Sequence, residues 1–245
     1  MLQDIELLYG KSLGATDGSI GRVRDFYFDD VTWALRYLVV DTGPWLSGRQ
    51  LLLPPDAFDT HALGRSGADA DVLRINLTRK QIENSPAIDL RQPVSRPYEE
   101  EYCRYYGWPA YWQDGGMLGA AGFPAVMTAG RPATRPHQGR HPQDAIHLRS
   151  TRAVTGYHIQ TTDGPMGSVG GFREDSRSWA IRELIVEAGH WYSGKEILIA
   201  PSRVERLSYE ESAIHVHLRK ADIEGTADHE LVKIDARTAH AAAED

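Results

Sequence analysis

The chain has 245 residues, enough for one or two domains, and its 41% apolar content supplies a sizeable core, which excludes a disordered polypeptide. With 27 basic and 34 acidic residues the net charge is −7, so no basic excess exists to drive phosphate binding, and nucleic acid is not the expected partner. The single cysteine, Cys103, excludes an intramolecular disulfide and a multi-cysteine zinc site. Met1 to Tyr9 carries two acids and no basic n-region, and no apolar run approaches about 18 residues. The expectation is a cytoplasmic protein without membrane insertion.

In chain order, short β-branched runs bounded by turn residues predict strands over Ser12 to Ala15, Gly21 to Phe28, Leu35 to Asp41, Gln50 to Leu53 and Val72 to Leu77, with a further short one near Phe58. Asp17-Gly18 predicts a tight hairpin between the first two. Leu35 to Asp41 is apolar on both faces, as in a strand crossing a closed or doubly covered sheet. Thr78 and Gln81 form a capping-box pattern opening a helix that ends by Pro86. Ser95 is positioned to cap a second helix over Arg96 to Tyr106, stopped at Gly107. On it Tyr98, Tyr102 and Tyr105 form an aromatic stripe opposite Glu99, Glu100 and Glu101. From Gln113 to Asp144, six Gly and four Pro in 32 residues read as a linker.

The chain then repeats itself. Residues 17 to 58 align without a gap on 163 to 204 at an offset of 146, and 17 of the 42 positions are identical. Further on the offset falls to 141, pairing Leu77 with Leu218, so copy one carries five extra residues around Gly64 to Ala70. A period this long describes two small domains rather than a solenoid. The expected organisation is 1–92, an aromatic helix and linker over 93–147, a second unit over 148–226, and a loosely held tail over 227–245.

The run Asp17-Gly18-Ser19-Ile20-Gly21-Arg22-Val23-Arg24-Asp25-Phe26-Tyr27-Phe28-Asp29-Asp30, followed by Trp33, Arg36-Tyr37-Leu38-Val39-Val40-Asp41-Thr42-Gly43, Trp45-Leu46 and Leu51-Leu52-Leu53-Pro54, resembles the PRC-barrel family. That family joins the cytoplasmic part of the photosynthetic reaction-centre H subunit to the C-terminal domain of a ribosome maturation factor. Asn84-Ser85-Pro86, Pro93-Val94-Ser95-Arg96 and Tyr105-Tyr106-Gly107-Trp108-Pro109 resemble its soluble bacterial tandem members. The resemblance covers about residues 7 to 112 and 148 to 226, and it implies a six-stranded, partly open β-barrel in each copy. The expected fold class is therefore mainly β, with two tandem PRC-like barrels, short helices and an interdomain linker.

Residues that could carry chemistry have plainer readings. His215 and His217 share one strand face and, with His190 or Glu211, have the makings of a metal site, but their copy-one counterparts are Arg74 and Asn76, which favours a solvated face. Asp29, Asp30 and Asp175 lack the regular oxygen spacing of a calcium loop and fit turn caps. Cys103 has no neighbouring His and reads as a structural thiol. Arg22, Arg24, Arg36 and Arg49 are interleaved with Asp25, Asp29, Asp30 and Asp41, a salt-bridged surface rather than a phosphate track. No nucleotide-binding or nucleophile motif is present, so neither an enzyme nor a cofactor is expected.

Aromatic residues come nearest to a functional signal. Trp45 and Trp191 occupy equivalent loops, suited either to closing a barrel end or to an interface. Tyr27, Phe28, Val31 and Tyr37 become Arg173, Glu174, Arg177 and Glu183 in copy two, so these positions are expected to face outward there. In copy one they then form an aromatic patch that the Tyr98 to Tyr105 helix, the second barrel, another copy of the chain or a protein partner must cover. The candidate interaction residues are Tyr27, Phe28, Tyr37, Trp45, Trp191, Tyr98, Tyr102 and Tyr105. The expected function is a non-catalytic interaction or scaffold module; the family resemblance also implies, as alternatives, an accessory factor in RNA or ribosome maturation, or an accessory of a photosynthetic or electron-transfer complex.

Overall fold

A computed structural model describes residues 2–58, 72–86, 94, 96–108, 148–188, 196–220 and 231–234. The linker, the extra residues of copy one, Ser95, His190 and Trp191 lie outside them. The protein is mainly β, with two mixed sheets, neither closed into a barrel. No helix among the described residues is long and apolar enough to cross a membrane.

After β1 (Leu2–Asp4) and a 3-10 turn (Ile5–Leu8), copy one forms β2 (Ser12–Ala15), β3 (Gly18–Asp29), β4 (Leu35–Asp41), β5 (Gln50–Leu53) and β6 (Val72–Arg74), in the spatial order β5-β4-β3-β2-β6. The last strand is shorter than its sequence predicts: Ile75 makes only an isolated bridge to Phe58, which is also all that forms of the short strand near Phe58. α1 (Arg79–Glu83) begins at the foreseen capping box and α2 (Arg96–Tyr106) has the foreseen bounds. Copy two opens with β7 (Leu148–Ser150) and α3 (Thr151–Val154). It continues through β8 (His158–Thr161), β9 (Gly164–Asp175), β10 (Ala180–Ala188), β11 (Glu196–Ile199), β12 (Val204–Ser208) and β13 (Ala213–Val216). Within the tail, β14 (Leu231–Ile234) pairs parallel with β11 and extends the sheet.

Several identities between the copies have direct physical reasons. A Cβ on Gly21 would lie 2.1 Å from the carbonyl oxygen of Asp41, and one on Gly167 would lie 2.1 Å from that of Glu187, so only glycine permits the strand crossing. The hairpin loop is Thr16-Asp17, one residue earlier than the Asp-Gly signal suggests, because Gly18 already pairs with Ala15. That register frees the Asp17 carboxylate to accept from the backbone N–H of Arg79 at 2.8 Å, holding the start of α1. Asp163 does the same for Lys220.

The two copies are not separate bodies. β1 pairs with β9 of copy two (Leu2↔Asp175, Gln3↔Glu174, Asp4↔Arg173), and β7 pairs with β3 of copy one (Leu148↔Asp29, Arg149↔Phe28, Ser150↔Tyr27). Every residue in the second set is 146 beyond its counterpart in the first or 146 before it, so each copy lends its first strand to the other. At the centre Ala34 bridges Ala180, the Leu35 N–H donates to the Trp179 carbonyl at 2.7 Å, and the Ile181 N–H donates to the Trp33 carbonyl at 2.8 Å. This reciprocity is that of a twofold axis between the alanines. Both tryptophans sit at positive φ, 56° and 53°. A single apolar core runs through both copies, from Phe26, Phe28 and Leu38 to Phe172, Leu184 and Val186.

Candidate interaction surfaces

The aromatic positions divide by face of the first sheet. Phe28 points into the core, fully buried, stacked on Trp33 at 5.3 Å and tilted against Phe172 at 5.7 Å. Tyr27 and Tyr37 are cross-strand partners on the opposite face. There Tyr37, Val39 and Leu52 form a second cluster with Val94 and Tyr102, against which Tyr27, Tyr98, Tyr106 and Trp108 pack. β4 is thus covered on both faces, as its sequence predicts, and the cover of Tyr37 comes from α2 of the same chain.

The stripe on α2 is Tyr98, Tyr102 and Tyr106, with ring centroids 5.6 and 4.9 Å apart, continued by Trp108 stacked on Tyr106 at 4.2 Å. Tyr105 lies on the flank, 41% exposed, with its hydroxyl donating to the Gln81 carbonyl. The spacing of four residues could have selected Tyr106 over Tyr105. Glu99 is not on a solvated face: it is buried and accepts from the Tyr37 hydroxyl at 2.9 Å. In copy two the Tyr27–Tyr37 pair is replaced by Arg173 and Glu183, ion-paired at 3.0 Å, with Arg173 also 2.9 Å from Asp4. Those two positions are polar because charged neighbours, rather than a helix, complete them. Glu174 departs from the outward-facing expectation, since it takes the core-facing place of Phe28 and is 1% exposed. Trp45 packs against the core from the 3-10 turn Gly43–Leu46, with the Arg79 guanidinium 4.5 Å from its ring centre.

Two clefts flank the contact between the copies. The first, about 540 Å³, is lined by Arg36, Tyr37, Pro54, Pro55, Asp56 and Phe58 of copy one, Cys103 and Trp108 of the α2 segment, and Arg177 and Trp179 of copy two. The second, about 670 Å³, is lined by Val31, Thr32 and Trp33 of copy one and by Arg182, Pro201, Ser202, Val204, Arg206 and Leu207 of copy two. Arg36 and Arg182, Pro55 and Pro201, Asp56 and Ser202, Phe58 and Val204, and Trp179 and Trp33 are repeat counterparts, so the clefts are versions of one surface. Only the first is walled by α2. No family model matches the chain, and no curated protein matches it.

Chemistry at the remaining candidates is modest. Burial pushes the Cys103 thiol up, with Glu99 adding to the effect, away from the thiolate a nucleophile needs. His215 bonds the Glu211 carboxylate at 2.7 Å, and that carboxylate also pairs with Arg206 at 3.0 Å. The His215 hydrogen bond, then Arg206, holds the Glu211 carboxyl below its usual range. Asp29 caps its turn by accepting from the N–H groups of Val31 and Thr32, and Asp30 pairs with Arg149 at 2.7 Å. Sequence reasoning missed the clefts as such, along with Arg177, Trp108 and Glu99. No local pattern marks a surface assembled from residues of both copies; only the repeat, placed about a twofold axis, would have shown it.

Proposed function

We propose that the chain is a non-catalytic protein-interaction module built from two PRC-barrel copies, presenting two related but unequal clefts to other proteins. The paired clefts carry this reading. Their walls combine tryptophan, proline and arginine, and Trp and Arg are among the residues enriched where interfaces concentrate their energy. Both straddle the join between copies, where reciprocal strand pairing and the common core hold the walls in one arrangement. The repeat counterparts that differ, Asp56 and Ser202, or Phe58 and Val204, give each cleft its own preference. The five-strand path β5-β4-β3-β2-β6 of copy one, which recurs in copy two as β11-β10-β9-β8-β13, supports the PRC-barrel assignment.

Photo-crosslinking in the source cells tests this. A benzophenone side chain in place of Asp56, and separately of Ser202, is expected to capture defined proteins. Capture at Asp56 should fall at least tenfold when the exposed Arg177 on the same rim is changed to Glu. Crosslinks to RNA alone, or none from either cleft, would overturn the reading in favour of a different class of partner.

A further inference from the structure

The 3-10 turn Ile5–Leu8 on β9 and α3 on β3 are repeat counterparts, and the residues that end them share one backbone conformation: Tyr9 at φ −62°, ψ 139° and Thr155 at φ −58°, ψ 131°. Their side chains lead to opposite outcomes. Tyr9 crosses to the β3 side, where its ring packs on Phe26 at 5.8 Å, its hydroxyl meets the Thr151 hydroxyl at 2.8 Å, and the Arg152 guanidinium lies 4.4 Å above it. Burial pushes the Tyr9 phenol up to about 12. Asp25 fills the rest of that space and accepts from Ser150, Thr151 and the Arg152 N–H.

On the β9 side the counterparts are smaller or apolar: Thr155 for Tyr9, Gly171 for Asp25, Gly170 for Arg24 and Ile5 for Thr151. Phe172 keeps the place of Phe26. The result is an open pocket of about 330 Å³ lined by Ile5, Glu6, Thr155, Gly170, Gly171 and Phe172, its wall completed by Tyr9 and Arg152. Cavities of about 150 Å³ already hold benzene.

We propose that this pocket receives a phenyl ring presented by a protein partner, in the place that Tyr9 takes in the other half of the molecule. The inference rests on the interaction-module reading and names what a partner offers. The ring packs on Phe172 as Tyr9 does on Phe26. At the end of the pocket formed by Ile5 a phenyl suits better than a phenol, because Ile5 stands where Thr151 answers the Tyr9 hydroxyl. One ring is too small for firm binding by itself, so it must belong to a wider contact, and the same turn carries Leu7, 68% exposed, to extend that contact.

Toluene titrated into the intact chain is expected to shift the amide signals of Thr155, Gly170 and Gly171. Thr155→Phe, whose ring fills the pocket from within, should abolish those shifts and raise Tm. Should that variant fail to fold, Gly171→Asp replaces it, since a Cβ there meets only the Ile185 Cδ1 at 3.6 Å. No shift with toluene, or shifts that persist in the filled variant, would overturn the proposal. A benzophenone at Leu7 should then capture a protein through a phenylalanine whose change to Ala ends capture, and which Thr155→Phe excludes. Toluene binding without such a phenylalanine leaves a site for small aromatic molecules and overturns the partner. Cleft crosslinks would survive that outcome, whereas their loss alongside intact toluene binding would sink the interaction-module reading itself.

Discussion

At Glu174 a carboxyl group stands where the other copy has Phe28. It is 1% exposed, Oε1 accepts from the Gln3 side chain of the exchanged β1, and Oε2 has no hydrogen-bond partner among the described residues. Burial raises its pKa from the ordinary 4.5 to about 7, with Asp175 adding to the rise and the Gln3 hydrogen bond opposing it. The folded protein therefore holds a proton that the unfolded chain has lost between pH 4.5 and about 7. Stability falls as pH rises through that window, by about 3 kcal/mol in total, and below it this group has no effect. Glu174→Gln should flatten the profile and be the more stable protein at pH 8, as read by urea unfolding at a series of pH values. Comparing the copies residue by residue gave the correct face for Tyr27 and Tyr37, where Arg173 and Glu183 replace them, but not for Phe28. A polar replacement signals exposure only if no interior partner exists, and Gln3 supplies one from the far end of the chain.

Among the elements, those stated by local chemistry were legible: the capping box of α1, the extent of α2, and strands β2, β4 and β5. The exchanged strands were not. β1 and β7 have three residues each, too short for a periodic signal, and they owe their conformation to edges of β9 and β3 that lie far away in sequence. α3 was equally hidden, because much of its support comes from Asp25, which accepts from the Ser150 and Thr151 hydroxyls and the Arg152 N–H. Asp25→Ala should cost about 2 kcal/mol and speed amide exchange across Thr151 to Thr155, leaving exchange in β10 and β11 unchanged. The 3-10 turn on the β9 side manages with Gly171 because Ile5 presents no hydroxyl to satisfy.

Over the whole molecule, the clefts and the common core belong to neither copy alone. The repeat made two like units legible, and its gapless alignment indicated the shared topology. It left unstated that the units interlock, since the identities that fix each fold say little about which edge a terminal strand meets. Residues 1–112 and 148–245 produced as separate chains should associate one to one and recover the cooperative unfolding of the intact protein. Light scattering and thermal melts would check this. Two stable monomers, each folded without the other, would refute the interlocked core.

Reciprocal pairing also sets an order of events during synthesis. Gln3 emerges first but meets Glu174 only after 171 further positions have been translated, a wait of roughly 10 to 30 s at common elongation rates. For most of that interval, from the making of Asp29 until Ser150 follows, the edge of β3 that will receive β7 is open as well. The nascent chain thus exposes two unpaired strand edges together, the kind of surface through which incomplete chains on one polysome join one another. Production of this protein should therefore depend more on translation speed and chaperone supply than its final stability would suggest.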